Sequence, residues 1–424
     1  MEYVFSPVND FAKLEAAIAG LYGSTQAPRQ TERYRGLLRG MEETFGPCER
    51  LAVFSAPGRT EIGGNHTDHQ HGRVLAGSVD LDVIAAVAPS GDRTIRVQSE
   101  GFPMAQVDLD QLEARPEEVN TSVSIIRGIA AWFQRQGCRL EGFSAYVTSN
   151  VLKGSGLSSS AAFEVLVGNI INSLFFDGRC TPIQLAQIGQ YAENVYFGKP
   201  SGLLDQMGSS VGGMVTIDFK DNANPAVERV DFDFAATGHA LCIIDSGADH
   251  ADLTDEYAAV PGELKEICTH FGKSVLREVP EEEFLAALPV LRRKAGDRAV
   301  LRAMHIYDDN RHVAAQVEAL RRGDFDAFLK LITASGLSSW RQLQNVVPAG
   351  YTHHQEVAVA LSLCERSLGG RGACRVHGGG FAGTIQAFVP LDMLDTFKVE
   401  MERYLGDGAC HVLTIRPVGG VRLA

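Results

Sequence analysis

Apolar positions recur every three or four residues over several long stretches of the chain, a spacing that predicts amphipathic helices. The predicted helices of the first half are 9–22, 30–45, 120–136, 158–175 and 182–197. Those of the second half are about 251–272, 296–322, 324–337, 352–368 and 391–404. Pro182 stands in the first turn of its helix, where proline is favoured.

Shorter apolar or alternating stretches, bounded by glycine, proline or polar residues, predict strands. They are 50–59, 81–89, 94–100, 142–150, 212–219, 239–247, 384–390 and 411–418. The first of these strands is predicted to end in a turn at Pro57 and Gly58. Because strands and helices mix in both halves, the pattern predicts an α+β fold rather than a doubly wound parallel sheet.

The chain has 424 residues, which is long enough for two domains. We expect an N-terminal domain over 1–218 and a C-terminal domain over 219–424. Apolar residues make up 45% and charged residues 21%, a mixture typical of globular proteins. The net charge of −13, without a long basic run, argues against nucleic acid or an anionic membrane as the main partner. It leaves small anions open as ligands.

The eight cysteines are scattered and form no C-x-x-C pair, which favours reduced, structural thiols. The N-terminus has acidic residues early and no basic stretch before an apolar core, so no signal peptide is predicted. No apolar stretch of about 18 residues occurs, and no membrane span is predicted. We therefore expect a soluble, cytoplasmic protein.

Residues 151–165, "VLKGSGLSSSAAFEV", place two glycines and four serines between a strand and an apolar helix. A helix N-terminus presents unpaired N–H groups and a partial positive charge, so this junction suits an anion, phosphate above all. The spacing is not that of a Walker A loop, nor of G-x-G-x-x-G, because Ser159 stands at the third glycine. The local pattern leaves phosphate binding and plain capping by Ser158 equally open.

Residues 55–72, "SAPGRTEIGGNHTDHQHG", crowd polar side chains into a stretch that follows a strand. Asp68 can accept hydrogen bonds from two sugar hydroxyls, and Asn65 and His66 can donate or accept them. The three histidines of the stretch, together with Asp68, can also ligate a transition metal. These residues alone leave a sugar site, a metal site and a polar surface loop open.

Residues 375–388, "RVHGGGFAGTIQAF", place three consecutive glycines between two apolar stretches, which is typical of a tight turn. "HGGG" is also an oxyanion motif of esterases, and "GSSVG" at 208–212 fits the nucleophile pattern G-x-S-x-G. In esterases, however, the HGGG element precedes the nucleophile, and no β-branched strand precedes Ser210 here. A serine hydrolase is therefore disfavoured.

"AENVYFGKPSGLLDQMGSS" offers Glu193 in a helix and Asp205 in a loop bounded by glycine and proline. Acids in such settings are usually helix caps or surface groups. Their significance depends on what lies near them in the fold.

In this order and at these separations, the motifs resemble the GHMP small-molecule kinase family, and within it the galactokinases, from about residue 50 to the C-terminus. "APGRTEIGGNHTDH" is similar to the galactokinase signature "PGRVNLIGEHTDY", and "GSGLSSSAAFEV" to the ATP phosphate loop. "GKPSGLLDQMGS" is similar to the segment with the catalytic aspartate, "HGGGFAGT" to the third family motif and "DSGADHADLTDEY" to a substrate loop. The resemblance implies a two-domain α+β fold with the active site in the cleft between the domains.

The resemblance also implies a reaction. ATP would donate its γ-phosphoryl group to the anomeric C1 hydroxyl of an aldose, galactose foremost, with Mg²⁺ as cofactor. The partners would be a small-molecule sugar and ATP, without nucleic acid or membrane, and the protein a monomer or a weak homodimer. The alternatives are a kinase for a different aldose and a catalytically silent, galactokinase-like sugar sensor. A serine hydrolase and a zinc protein come last.

The resemblance assigns roles to individual residues. Asp205 would take or orient the proton of the C1 hydroxyl, and Arg59 would pair with it and offset phosphoryl charge. The ATP phosphate loop would be Gly154, Ser155, Gly156, Leu157, Ser158, Ser159 and Ser160. The magnesium positions would be Ser159 and Glu193. The sugar contacts would be Asn65, His66, Asp68, Gly202 and Tyr257, and the glycines that close the site Gly378, Gly379 and Gly380.

The chain departs from the family pattern near the expected sugar. Asn65 stands where galactokinases have glutamate, so an acceptor-only group is replaced by one that also donates. A buried mismatch with one hydroxyl costs about 1–3 kcal/mol, which leaves the identity of the sugar open. Further departures are Lys153 for an apolar residue, His377 for threonine, Ala382 for glycine and Asp249 for arginine.

Overall fold

The computed structural model describes residues 6–7, 11–48, 50–152, 154–199, 201–248 and 253–424. Two departures from the family pattern, Lys153 and Asp249, lie outside the described residues. Within the described ranges, every helix is too short or too polar to cross a membrane.

The described residues form thirteen strands and twelve α-helices. The strands are β1 (Ser6–Pro7), β2 (Arg50–Gly63), β3 (Arg73–Pro89), β4 (Thr94–Ser99), β5 (Ala105–Asp108), β6 (Phe143–Ser149), β7 (Met214–Asp218), β8 (Ala226–Val230), β9 (His239–Ala248), β10 (Ala373–Val376), β11 (Gly383–Pro390), β12 (Cys410–Leu413) and β13 (Val421–Arg422). The helices are α1 (Phe11–Phe45), α2 (Ser122–Arg135), α3 (Ser159–Phe175), α4 (Pro182–Ala192), α5 (Leu204–Val211), α6 (Thr254–His270), α7 (Glu281–Ala286), α8 (Leu288–Lys294), α9 (Asp297–Arg321), α10 (Phe325–Ser338), α11 (Glu356–Leu368) and α12 (Leu394–Leu405). Two π-helical segments, Glu193–Phe197 and Ser339–Leu343, extend α4 and α10.

The strands of the described chain form two sheets. The larger sheet follows the order β1-β2-β3-β6-β4-β5, with β13 added to β2 and the β7–β8 hairpin added to β3. Its strands pair antiparallel except β4 and β6, which run parallel. The smaller sheet is antiparallel, with the order β10-β11-β9-β12. Since β13 follows β12 in the chain, the C-terminus returns from the smaller sheet to the larger one.

Helices pack on both sheets. Helices α2 and α3 pack on the larger sheet and α4 packs on both of these helices, and Phe54, Ile129 and Leu166 belong to one buried apolar cluster. Helices α11 and α12 cover the smaller sheet with a second cluster that includes Leu361 and Phe397. This combination of mainly antiparallel sheets and packed helices confirms the predicted α+β class.

Two details of the predicted elements were wrong. The predicted helices 9–22 and 30–45 meet at Gly23, whose backbone is non-helical, so the break between them is much shorter than predicted. Strand β2 does not end at Pro57 and Gly58 but continues to Gly63. A shift in its pairing with β3 between Pro57 and Arg59 absorbs these residues, so the ladder continues beyond them.

The sequence analysis missed or misassigned several other elements. Asp205 does not lie in a loop but in the first turn of the short helix α5. Strands β5 and β8 and helices α7 and α8 were not predicted. Strand β8 still pairs with β7 in the larger sheet, so the change between the sheets falls between β8 and β9. The domain division at 218/219 stays a prediction.

A buried carboxylate joins α1, the larger sheet and the C-terminal tail. Asp82 of β3 accepts hydrogen bonds from Tyr22, Ser55, Arg33 and Arg416. Burial raises the pKa of Asp82, but the two guanidinium groups outweigh burial and hold this pKa below its usual value. The ionised carboxylate therefore connects elements that are far apart in the sequence.

We expect Asp82→Asn to lower the free energy of unfolding by about 3–5 kcal/mol, because it leaves the buried Arg416 and the partly buried Arg33 without their counter-charge. Denaturation in guanidinium chloride measures the change. The matched control is Asp297→Asn, which removes an exposed ion pair with Arg292 and should leave the midpoint unchanged. Equal midpoints for Asp82→Asn and the wild type would contradict this role of Asp82.

Candidate active site

The candidate active site is centred on the ion pair between Arg59 and Asp205. Arg59 follows the bulge in β2, and Asp205 lies in the first turn of α5. Asp205 Oδ1 accepts hydrogen bonds from Arg59 Nε at 2.9 Å and from Arg59 Nη2 at 2.5 Å. The Arg59 side chain is 7% exposed and that of Asp205 is 38% exposed. The arginine is thus fixed by its surroundings, whereas the carboxylate is open to a ligand.

Ser158 holds the second oxygen of this carboxylate. Its backbone has φ 56° at the N-cap of α3, but its side chain makes no capping hydrogen bond. Instead, Ser158 Oγ donates to Asp205 Oδ2 at 2.6 Å. The alternative in which Ser158 is a plain helix cap is therefore wrong.

The charge state of Asp205 follows from these contacts. Burial raises its pKa, but Arg59 and the Ser158 hydroxyl outweigh burial and hold the pKa below its usual value. Asp205 is therefore ionised at neutral pH. Such a carboxylate orients a hydroxyl group well, but it is a weak base towards a proton that is still firmly bound.

Two backbone carbonyls of the glycine and serine stretch accept hydrogen bonds from Arg59. The Gly156 carbonyl accepts from Arg59 Nη1, and the Leu157 carbonyl accepts from the backbone N–H of Arg59 at 3.0 Å. Gly156 has a positive φ of 69°, and a Cβ there would lie 3.0 Å from His377 Nδ1. Because α3 begins at Ser159, the N–H groups of its first turn have no partner within the helix. This helix N-terminus is therefore a candidate anion site.

A cavity of about 470 Å³ lies beside the first turn of α3. Apolar side chains from β3, β4, β6 and α2 form much of its wall. Ser159, Ser160, Glu164 and Glu193 also line it. A largely apolar chamber next to unpaired helix amides suits a ligand with a flat base and an anionic tail.

Two buried carboxylates meet at this cavity. Gln206 Nε2 donates to Glu164 Oε2 and to Glu193 Oε2, both at 2.9 Å. Lys199 Nζ donates to Glu193 Oε1 at 3.1 Å. Burial and the neighbouring Glu193 raise the pKa of Glu164 well above its usual value. The sequence analysis missed Glu164, although a single acid within an otherwise apolar helical stretch was an available signal.

The oxygen atoms at this cavity fit magnesium. Mg²⁺ is usually bound by one or two carboxylates together with phosphates and water. Ser159 and Glu193 line the same cavity, and the neighbouring Gln206 Oε1 is buried without a hydrogen-bond partner. In the described part of the chain, no group of three His, Cys, Asp or Glu side chains is placed to hold a metal by itself. The zinc alternative for the loop histidines therefore has no support.

The loop after β2 presents two of the predicted sugar contacts. His66 Nε2 donates to the Gly379 carbonyl at 3.0 Å. Burial lowers the pKa of His66 to about 4, so the ring is neutral and its Nδ1 is an acceptor at neutral pH. A Cβ on Gly202 would overlap Asp68 Oδ2. Glycine at position 202 therefore leaves room for the Asp68 carboxylate just before α5.

Tyr257 of α6 packs against the glycine turn. Its Oη donates to the Gly380 carbonyl at 2.7 Å, and a Cβ on Gly379 would lie 2.8 Å from Tyr257 Cε1. His66, which lies in the loop after β2 of the larger sheet, donates to the Gly379 carbonyl of the same turn. The structure thus brings the predicted residues together in two adjoining sets. These are Arg59, Ser158 and Asp205 with Asp68 and Gly202, and His66 and Tyr257 with Gly378–Gly380.

The structure places Asn65 in the interior instead. Its Nδ2 donates to Glu61 Oε1 at 2.9 Å and to the Gly378 carbonyl at 2.5 Å. Its Oδ1 accepts from Asn345 Nδ2 at 2.8 Å and from Ser339 Oγ at 3.3 Å. The amide is fully buried, and both donors and both acceptor positions are in use. This geometry leaves no group of Asn65 for a sugar hydroxyl.

His377 is a site residue whose role the sequence analysis did not find, although its departure from the family threonine was noted. Burial lowers its pKa to about 3, so the ring is neutral. Nε2 accepts from the backbone N–H of Glu61 at 3.3 Å and from the Thr60 hydroxyl at 3.1 Å. Nδ1 lies 3.0 Å from Thr384 Oγ1 and 3.3 Å from the Ser155 carbonyl, and donates on that side. His377 therefore connects β2 to the glycine and serine stretch.

Comparisons with known proteins find relatives along nearly the whole chain. The model of the GHMP kinases N-terminal domain matches residues 124–213, and the galactokinase galactose-binding signature matches 42–89. The chain is 28% identical to a galactokinase of Streptomyces coelicolor over 388 residues, which cover 91% of this chain and 92% of that protein. The crystal structure of Lactococcus lactis galactokinase complexed with galactose aligns with a TM-score of 0.77 at 25% identity, over 92% of this chain and 99% of that one. Methanococcus jannaschii mevalonate kinase shares the fold, with a TM-score of 0.62 at 12% identity over 87% and 99% of the chains.

The fold and these matches indicate the class: residues 124–213 match the GHMP kinases N-terminal domain, and the chain shares its fold with GHMP kinases. Among these proteins it is galactokinase-like, since the galactose-binding signature matches residues 42–89 and the Streptomyces and Lactococcus relatives along nearly the whole chain are galactokinases. The hydrolase alternative is excluded by the setting of Ser210. Its hydroxyl is buried and donates to the Pro182 carbonyl at 2.7 Å.

We expect Asn65→Glu, which restores the residue of the galactokinase signature, to destabilise the protein. A carboxylate cannot donate to the Gly378 carbonyl, and it adds a negative charge beside Glu61. The free energy of unfolding should fall by about 3 kcal/mol. The double variant Glu61→Asn with Asn65→Glu again has a single carboxylate in this pair and should recover part of the loss in a double-mutant cycle. Strictly additive losses would show that the two residues are not coupled.

Proposed function

We propose that this chain is an ATP-dependent kinase that phosphorylates the C1 hydroxyl of galactose, giving galactose 1-phosphate. The observation that carries the proposal is the Asp205 carboxylate, held by Arg59 and Ser158 beside the N-terminus of α3. A group that can orient a hydroxyl therefore lies next to amides that can hold a phosphate chain. The match to the galactokinase signature supports galactose as the acceptor.

We place the triphosphate of ATP at the backbone of Gly154–Ser160 and the nucleoside in the neighbouring cavity. The first turn of α3 offers unpaired N–H groups and the positive end of the helix dipole. The cavity of about 470 Å³ beside it has largely apolar walls, which suit a purine base. Bound in this way, the phosphate chain would extend towards Arg59 and Asp205.

Phosphoryl transfer needs alignment and charge neutralisation more than covalent chemistry from the protein. Arg59 and the helix N-terminus supply positive charge at the transferring group. Asp205 accepts the hydrogen bond of the C1 hydroxyl and aligns its oxygen with the γ-phosphorus. As the new P–O bond to the C1 oxygen forms, the bond from the γ-phosphorus to the β,γ-bridging oxygen breaks and ADP leaves. The proton of the hydroxyl passes to Asp205 at this stage, because the hydroxyl becomes acidic only then. This late transfer agrees with the lowered pKa of Asp205.

Ser159 and Glu193 would hold a magnesium ion against the phosphates, and Gln206 would orient the Glu193 carboxylate. When bound, this ion neutralises phosphate charge. On the sugar side, Asp68 and the neutral His66 offer acceptors for hydroxyl groups. The cytoplasmic location and the state of monomer or weak homodimer stay predictions.

A silent sugar sensor is not favoured. The carboxylate, the arginine and the serine that a transfer reaction needs are all present and bonded to each other. A protein that only senses sugar has no need of this triad beside a phosphate-binding helix N-terminus.

We expect Asp205→Asn to lower kcat by at least about a hundredfold, because an amide neither takes the proton nor fixes the hydroxyl in the same way. Binding of ATP, measured by calorimetry, should change little, since the helix amides are untouched. The matched control Asp326→Asn changes an exposed acid in the first turn of α10 and should leave kcat as it is. Turnover of the Asp205→Asn variant at the wild-type rate would remove Asp205 from the mechanism.

A panel of aldoses tests the proposed reaction itself. We expect consumption of ATP with galactose and a single product with phosphate on C1, identified by phosphorus and proton NMR spectroscopy. Glucose, which differs only at C4, should react more slowly. Phosphate on any carbon other than C1, or consumption of ATP that does not depend on sugar, would contradict the proposal.

A further inference from the structure

Glu61 is a buried acid to which the mechanism above gives no part. It lies on β2 two residues after Arg59, so the two side chains leave the same face of the strand. Its side chain is 9% exposed. At a rise of about 3.3 Å per residue, its Cα is about 7 Å further along the strand than that of Arg59. Glu61 is therefore placed beside the reacting centre and not at it.

One oxygen of Glu61 is engaged by protein and the other is not. Oε1 accepts from Asn65 Nδ2 at 2.9 Å and from Arg375 Nη2 at 3.0 Å. Oε2 receives no hydrogen bond from the described residues, and it is not among the atoms sealed from solvent. The second oxygen therefore keeps some access to solvent and an unused acceptor position.

The position of the carboxylate is rigidly fixed. Arg375 is fully buried and also donates to the Ile62 carbonyl at 2.8 Å and to the Val376 carbonyl at 3.1 Å. Asn65 is held by bonds on both sides of its amide. Because both donors to Oε1 are locked, Oε2 is presented in one orientation, which is what selective recognition of a hydroxyl requires.

The surroundings of Glu61 are those of the sugar site. The charges of Arg59 and Asp68 both act on its carboxyl group, so Glu61 lies near the arginine of the proposed mechanism and near a predicted sugar contact. Burial raises its pKa in spite of Arg375 and Arg59, because the carboxylate has lost water without gaining enough donors. A hydroxyl that donates to Oε2 would supply the missing hydrogen bond.

The sequence motif gives an independent reason. In comparison with the signature "PGRVNLIGEHTDY", this chain has Glu61 where the signature has asparagine, and Asn65 where the signature has glutamate. Acid and amide have thus changed places at 61 and 65. Since the amide of Asn65 is fully used inside the protein, the carboxylate of Glu61 is the acceptor that remains for the ligand.

We propose that Glu61 determines sugar specificity, with its free Oε2 accepting a hydrogen bond from one ring hydroxyl of the aldose other than the hydroxyl at C1. The assignment rests on the proposed function, because it needs a sugar in this site. Asp68 and His66 then share recognition of the remaining hydroxyls with Glu61.

Glu61→Gln tests the assignment through the substrate. The variant keeps an oxygen for Arg375 and Asn65 but replaces the free oxygen by an amide donor. Steady-state kinetics with galactose and with its 2-, 3-, 4- and 6-deoxy analogues give kcat/KM for each sugar. We expect kcat/KM for galactose to fall about tenfold or more relative to the wild type. For the one analogue that lacks the bonded hydroxyl, the two proteins should be nearly equal.

The matched control is Asp309→Asn, a buried acid that accepts from the backbone N–H of Asn65 at 2.8 Å from the other side of the loop. A change there acts on the loop as a whole, so any loss should be the same for all sugars. If Glu61→Gln does not fold, Glu61→Asp retracts the carboxylate while keeping its charge, and the same hydroxyl-specific loss is expected.

The outcomes separate the two proposals. A wild type active on galactose, with a loss in Glu61→Gln that is uniform over the deoxy sugars or absent, would overturn the role of Glu61 and leave the proposed function intact. A wild type that does not phosphorylate galactose would overturn the proposed function, and the role of Glu61 with it.

Discussion

Arg59 is the side chain on which the rest of the site depends. It donates to the Asp205 carboxylate and, also from its guanidinium group, to the Gly156 carbonyl, and its backbone N–H donates to the Leu157 carbonyl. A single buried guanidinium therefore joins the Asp205 carboxylate, which we propose orients the acceptor hydroxyl, to the N-terminus of α3, which we propose receives phosphate. Five donors in a rigid plane allow arginine to do this, whereas the single ammonium of lysine could not.

The same strand also ties the two sheets together around the sugar site. Glu61 is bonded to Arg375 of the smaller sheet's first strand, and Asn65 is bonded to the glycine turn through the Gly378 carbonyl. His377 binds Thr60 and the segment of the phosphate loop. Because these buried groups satisfy one another, a substitution at one of them changes the position of several. We therefore expect recognition of a sugar to depend on this network rather than on a single contact.

Much of this could be predicted from local sequence, because periodic apolar positions and glycine-rich junctions are local signals. The α+β class and helix α3 after the serines came from such signals, whereas the roles expected of Asp205 and Arg59 came from the resemblance to the galactokinases. The extension of β2 through Pro57 and the helical setting of Asp205 depend on pairing and packing with distant residues, which a local pattern does not contain. For the same reason Asn65 was expected on the sugar. Its partners come from the 339–345 segment and the glycine turn, far along the chain.

The central claim is that one buried arginine places a phosphate-binding helix N-terminus opposite the carboxylate of Asp205. The most direct measurement is a crystal structure with galactose and a non-hydrolysable ATP analogue. The account predicts phosphate oxygens within hydrogen-bond distance of backbone N–H groups at residues 154–160, and the C1 hydroxyl on Asp205 between that carboxylate and the γ-phosphorus. Phosphates bound elsewhere, or Asp205 turned away from both ligands, would contradict it.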